Sequence, residues 1–184
     1  MSAGSLDSPP SPTRGRAPLW VTLVATSFGA GFVPKAPGHS GTLTAVALAW
    51  GLAHVSAWWY GLALFVVLAL GTLAAERWGQ ATGVPDDQRI VVDEVAGYLA
   101  TLMFVPRTWP NLIAGFFLFR LLDVWKPGPI GKADETIGGG VGVMVDDLVA
   151  GVIGSVIMVA LHYSGALPWL AARAIALAHG WGVL

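Results

Sequence analysis

Asp93 and Glu94 stand side by side near the start of the apolar stretch IVVDEVAGYLATLMFVP, and Asp146 and Asp147 do the same in VGVMVDDLVAGVIGSVIMVAL. One acid at such a place is explained by capping, because the positive end of a helix favours it. A second adjacent acid projects about 100° further round the helix and cannot serve the same cap. Ionisable groups within membrane helices are functional candidates. A third stretch, FRLLDVWKPGPIGKADE, places Arg120 and Asp123 on one helical face, with Lys126 following Asp123 by the same step. Pro127 and Pro129 end that helix and fix a stiff exit. A cationic pair beside a buried acid suits an anionic phosphate adjoining a metal.

The fourth stretch is GAGFVPKAPGHSGTLTA. Its glycines, Gly38 among them, free backbone N–H groups for an anion. Ser40 or Thr42 could cap the next helix, whose N-terminus attracts phosphate. Lys35 precedes the last glycine, so this is not a P-loop. Carboxylates without thiols describe a hard, oxygen-rich site for which Mg²⁺ is the natural occupant.

The elements that must carry these groups belong in a membrane. Of 184 residues, 55% are hydrophobic and 11% charged, against roughly 25% charged in soluble domains. Nine Trp and 24 Gly point the same way. A net charge of −1 excludes the basic stripe of a nucleic-acid binder, and the lack of Cys excludes thiolate chemistry and disulfides. Residues 1–17 are Ser/Pro-rich and are expected to form a disordered cytoplasmic tail, with a single membrane domain over 18–184. The first apolar run flows directly into Gly- and Pro-rich sequence with no convincing Ala-x-Ala cleavage site, so the tail is expected to stay uncleaved.

Apolar runs lie at about 19–30, 42–55, 57–75, 90–105, 111–125, 142–162 and 167–183. Only 57–75 and 142–162 comfortably reach the length of a full span. Arg14, Arg16, Lys35, Arg77, Arg89, Lys126 and Lys132 fall in the tail or in alternate loops, which the positive-inside rule makes cytoplasmic. The expected fold is therefore all-α: a polytopic bundle of about six spans, plus a short re-entrant or interfacial N-terminal helix. The loop 31–41 and all the acids named so far then meet at the cytoplasmic edge.

PKAPGHSGTL, DDQRIVVDEVAGYLATL and FRLLDVWKPGPIGKADETIGGGVGVMVDDLVAGV resemble, in order and spacing, the signature blocks of the phosphatidylglycerophosphatase A family, over roughly 29–155. The third block is the most specific. The resemblance implies a helical, Mg²⁺-dependent lipid phosphatase of the bacterial inner membrane that converts phosphatidylglycerophosphate to phosphatidylglycerol and inorganic phosphate. It carries the family's acids onto Asp86, Asp93, Glu94, Asp123, Asp134, Asp146 and Asp147, and its basic pair onto Arg120 and Lys126. His39 stands where the family usually has Thr, so His39 or Ser40 must replace any contact of that hydroxyl with phosphate. On this reading Glu94, Asp123 and Asp147, with Asp93 or Asp146 as further ligands, bind Mg²⁺, and a spare carboxylate acts as base. Lys35, Gly38, His39, Ser40, Thr42, Arg120 and Lys126 are the phosphate-binding candidates. The competing expectations are another phosphomonoester substrate, such as α-ribazole phosphate, and a cation channel or transporter lined by the acids. No protein partner is readable.

Overall fold

The computed structural model describes residues 15–125 and 138–180, so the greater part of the N-terminal tail, Lys126, Lys132 and Asp134 lie outside the described residues. Among the described residues seven α-helices form: α1 (Leu19–Ala25), α2 (Pro37–Gly51), α3 (Ala57–Thr82), α4 (Val92–Thr101), α5 (Trp109–Trp125), α6 (Gly139–Tyr163) and α7 (Ala166–Gly180), with a 3-10 turn at Ala30–Phe32. No strand occurs among the described residues.

Two helices are long and apolar enough to cross a membrane, α3 with 26 residues and α6 with 25. At 1.5 Å per residue they measure about 39 and 37 Å. They contain the two runs whose lengths alone reached a span. α3 overshoots its apolar run because nothing before Gly83 breaks it. Gly83 takes a φ of 73° and donates its N–H to the Gly79 carbonyl, a left-handed cap. The first run, by contrast, is not one helix. α1 stops at Ala25, and Ser27, Phe28 and Gly29 follow with φ of 47°, 59° and 98°. Thr26 Oγ1 steadies that turn by accepting from the Gly29 N–H at 3.0 Å.

α4 is the axis of the bundle. Its ten residues cover about 15 Å, half a hydrocarbon core. Val95 through Thr101 are all buried. Tyr98 donates its hydroxyl to the Leu112 carbonyl and packs edge-on against Phe119, which ties α4 to α5. The contact with α6 is closer still. A Cβ on Gly97 would come within 2.5 Å of the Asp147 carbonyl, and one on Gly151 would strike the Gly97 carbonyl. Glycine at both positions lets the two backbones touch, which sets the carboxylates of α4 and α6 side by side.

The connections alternate between two ends. One gathers residues 52–56, 102–108 and 163–165; the other gathers the start of α2, the loop 83–91, and the starts of α4 and α6 with the last turn of α5.

Candidate active site

The second of these ends encloses a cavity of about 480 Å³. Pro37 and Gly38 come from α2, Pro85 to Gln88 from the loop, and Asp93 and Glu94 from α4. Arg120, Asp123 and Val124 come from α5, and Gly138, Gly139, Gly142, Val143, Asp146 and Asp147 from α6 and its lead-in. Among the described lining residues, seven are acids and one, Arg120, is a cation.

The acids arrive from different helix positions. Asp93 and Glu94 occupy the first turn of α4, and Asp93 Oδ1 accepts from the Glu94 N–H at 3.0 Å. Asp146 and Asp147 lie two turns inside α6, because α6 begins at Gly139 and not at Gly142. That earlier start is held by Glu76 of α3, whose carboxylate accepts from the Gly140 N–H at 2.8 Å. Asp146 Oδ1 accepts from the Asp147 N–H at 2.9 Å, and both side chains are buried.

Carboxylate oxygens of Asp93, Glu94 and Asp147 lie within 4.8 Å of one another. Glu94 Oε2 is buried without a hydrogen-bond partner. Three crowded carboxylates, one with an unsatisfied oxygen, fit a divalent cation bound by hard oxygen ligands, because the cation removes both the mutual repulsion and the orphaned lone pair. Asp123 takes a different part. Its Oδ2 accepts from Arg120 Nη1 at 2.5 Å, while the same nitrogen is 3.8 Å from Glu94 Oε1. Arg120 therefore stands between the acid cluster and Asp123, and its Nε has no partner. A Cβ on Gly38 would collide with Glu94 Oε1 and lie 3.0 Å from Arg120 Nη1, so only glycine leaves that approach open.

The remaining expected phosphate ligands are placed differently. Lys35 and His39 are exposed and do not line the cavity. α2 starts at Pro37, whose ring suits a first helical position, so Ser40 and Thr42 fall inside the helix and not at its cap. There the Ser40 hydroxyl donates to the Ala30 and Pro37 carbonyls at 2.6 Å, and the Thr42 hydroxyl to the Gly38 carbonyl at 2.9 Å. Asp86 sits exposed on the rim.

Asp87 is a cavity residue that sequence reasoning passed over. It is buried, accepts from the Trp78 indole N–H at 3.2 Å and from Arg89 Nε at 2.9 Å, and Arg89 lies 5.1 Å over the Trp78 ring. The Arg89 guanidinium, hydrogen-bonded to it, holds the Asp87 carboxyl down at about 2. The side chain thereby pins the loop that forms one cavity wall. Its signal in the sequence, an acid two residues before an arginine in DDQR, is too common to single out.

The sequence model of the family described as phosphatidylglycerophosphatase A matches residues 23–162. The chain is 40% identical over 138 residues to phosphatidylglycerophosphatase A of Escherichia coli, covering 74% of this chain and 80% of that protein. It is 32% identical over 149 residues to the protein of the same name from Haemophilus influenzae, covering 78% and 89%. A Bacteroides thetaiotaomicron protein, provisionally named a phosphatidylinositol-3-phosphatase, is 41% identical over 142 residues, covering 71% and 86%. No solved structure matches. The chain belongs to the phosphatidylglycerophosphatase A family.

Proposed function

We propose that this member of the family hydrolyses phosphatidylglycerophosphate to phosphatidylglycerol and inorganic phosphate, with Mg²⁺ held by Asp93, Glu94 and Asp147. The observation that carries the reading is the crowding of those three carboxylates beside Arg120 in one cavity, on a chain 40% identical to a phosphatidylglycerophosphatase A. When bound, the cation supplies charge neutralisation at the transferred phosphoryl group and lowers the pKa of a ligated water. Arg120 holds non-bridging phosphate oxygens through its guanidinium, and Gly38 gives the phosphate room to approach. A water oxygen forms the new bond to phosphorus as the ester bond to the glycerol oxygen breaks. One cavity carboxylate, with Asp146 the candidate outside the metal cluster, takes the water proton, and the departing alkoxide leaves as the alcohol after gaining one. Asp123 keeps Arg120 aimed at the phosphate.

The membrane part of the proposal is a bundle of six crossings, α2 to α7, with α1 lying along the surface and the cavity facing the cytoplasm. Two helices of spanning length, the alternation of connections between two ends, and the sheathing of short α4 by its neighbours support it. Trp50, Trp58, Trp59 and Trp109 are exposed and gather at the end away from the cavity, as interfacial aromatics do. Arg16, Lys35, Arg77 and Arg89 lie toward the cavity end, which supports its facing inward.

The test is phosphate release from phosphatidylglycerophosphate by the purified, lipid-reconstituted protein, with EDTA, Mg²⁺ add-back and phosphatidylinositol 3-phosphate as a comparison substrate. Release abolished by EDTA and restored by Mg²⁺ is expected. A protein that releases phosphate only from the phosphoinositide would overturn the substrate, and release indifferent to EDTA would overturn the metal.

A further inference from the structure

One strip of α5 changes character within a turn. Arg120, Asp123 and Val124 line the polar cavity, whereas Phe116 and Phe117, one turn earlier, open an apolar groove that runs past Ile113 to Trp109. Leu43 and Val46 of α2 form the other wall. The same two helices thus frame both spaces, since α2 also brings Pro37 and Gly38 to the cavity. The groove holds about 250 Å³, no charged side chain lines it, and it ends where the Trp109 ring packs 5.7 Å from that of Trp50. From Arg120 to Trp109 the helix advances about 16 Å.

A polar head site set one helical turn from an apolar trough on the same two helices has the shape of an amphiphile. We infer that the α2–α5 groove binds an acyl chain of a phosphomonoester lipid and is the lateral way in from the bilayer, an inference that rests on the lipid-phosphatase reading. Two other apolar grooves are set apart from the cavity. The one at Trp58, Leu62 and Phe65 lies at the opposite end of the bundle. The one at Val24, Phe28 and Leu70 is walled off from the cavity by the loop, where the Val91 N–H donates to the Ala25 carbonyl at 2.8 Å and Gly31 abuts the Arg89 carbonyl.

Two measurements test it. Photo-crosslinking in liposomes with a phosphatidic acid carrying a diazirine in its acyl chain is expected to label Leu43, Ile113 or Phe117. Labelling spread over α3 and α7 in proportion to their exposed surface would overturn the groove, whether or not the protein turns over. For Leu43→Trp, which fills the groove, the ratio of kcat/KM on long-chain over dioctanoyl phosphatidylglycerophosphate should fall by about tenfold, equivalent to about two buried methylenes. Leu62→Trp, in the far groove, should leave that ratio where it is. Phe117→Ala, which widens the groove, serves as the second variant if the larger side chain disturbs folding, and is expected to lower the same ratio. An unchanged ratio in a folded, active variant overturns the inference. Wild-type protein that releases no phosphate from any lipid phosphomonoester would instead sink the functional reading and leave the crosslinks to decide the groove.

Discussion

The two ends of the bundle each hold an arginine with a buried, unpartnered Nε, Arg120 at one and Arg107 at the other. Arg107 is compensated without any carboxylate. Its Nη2 donates to the Val55 carbonyl at 2.9 Å, and the guanidinium lies 4.6 Å over the Tyr60 ring, whose hydroxyl donates to the Leu99 carbonyl. Nearby, Asn111 donates to the Pro106 carbonyl and pairs with His162. Arg120 sits instead among Glu94, Asp123 and an open cavity. An orphaned guanidinium nitrogen therefore does not mark a site in this protein. The excess of acids and the space beside them do, because unspent charge facing a cavity can be answered by a ligand, whereas Arg107 is already answered by the fold.

The sharpest way to break this contrast is Asp147→Asn, which removes a charge from the three-carboxylate cluster and keeps its shape. Turnover should drop by roughly 10³-fold, on the scale of losing one charge-stabilising group, while circular dichroism and membrane insertion stay as in the wild type. Near-normal phosphate release would remove Asp147 from the proposed metal site. Paired arginine substitutions come next. Arg120→Lys should cost about 10²-fold in kcat/KM, because a point charge replaces a fork. Arg107→Lys should leave kcat/KM within a factor of about two and lower Tm. If Arg107→Lys cost more activity than Arg120→Lys, the assignment of the two ends would be reversed. Gly38→Ala should reduce kcat/KM by about tenfold, since the new methyl meets Glu94 and Arg120 but no backbone. Tyr60→Phe, at the other end, should destabilise by about 1 kcal/mol with activity retained, as one buried hydrogen bond is lost.

The smallest effect is a pH dependence. Asp87 is held at about 2 by Arg89, below its ordinary 3.8. A depressed carboxylate adds stability that is complete above the unfolded pKa and lost as pH falls through the folded one. Between about pH 4 and 2, wild-type stability should fall relative to Asp87→Asn by about 1 kcal/mol, because the half-exposed Arg89 is screened by solvent. Parallel stability curves for the two proteins across that window would show that Asp87 does not pin the loop through its charge.

Local patterns made much of this legible before any coordinates. Apolar run length marked α3 and α6, because a long run without breakers is decided by nearest neighbours alone. Acids inside apolar stretches marked Asp93, Glu94, Asp146 and Asp147, since their desolvation is costly in any fold. The i,i+3 step joined Arg120 to Asp123, now seen as an ion pair. Boundaries were less legible. The run 19–30 breaks at Ala25 through a turn with two non-glycine residues at positive φ, which only surrounding contacts can impose. The start of α2 at Pro37 turned Ser40 and Thr42 from candidate caps into helical residues bonded to their own backbone.

By itself, then, the chain's sequence determined the helical class, the two long helices and which residue types had to meet, since all three follow from propensity, run length and the cost of burying charge. Only the tertiary structure decided who meets whom. Gly97 against Gly151 sets the gap between α4 and α6 and so brings Asp147 to Asp93 and Glu94. Trp78 and Arg89 recruit Asp87 to the cavity wall. Arg107 is spent on Val55 and Tyr60, and Arg120 is left for the site. The contacts of Gly97 with Gly151 and of Arg107 with Val55 and Tyr60 join residues far apart in sequence, and their distances depend on how whole helices pack, which no local pattern encodes.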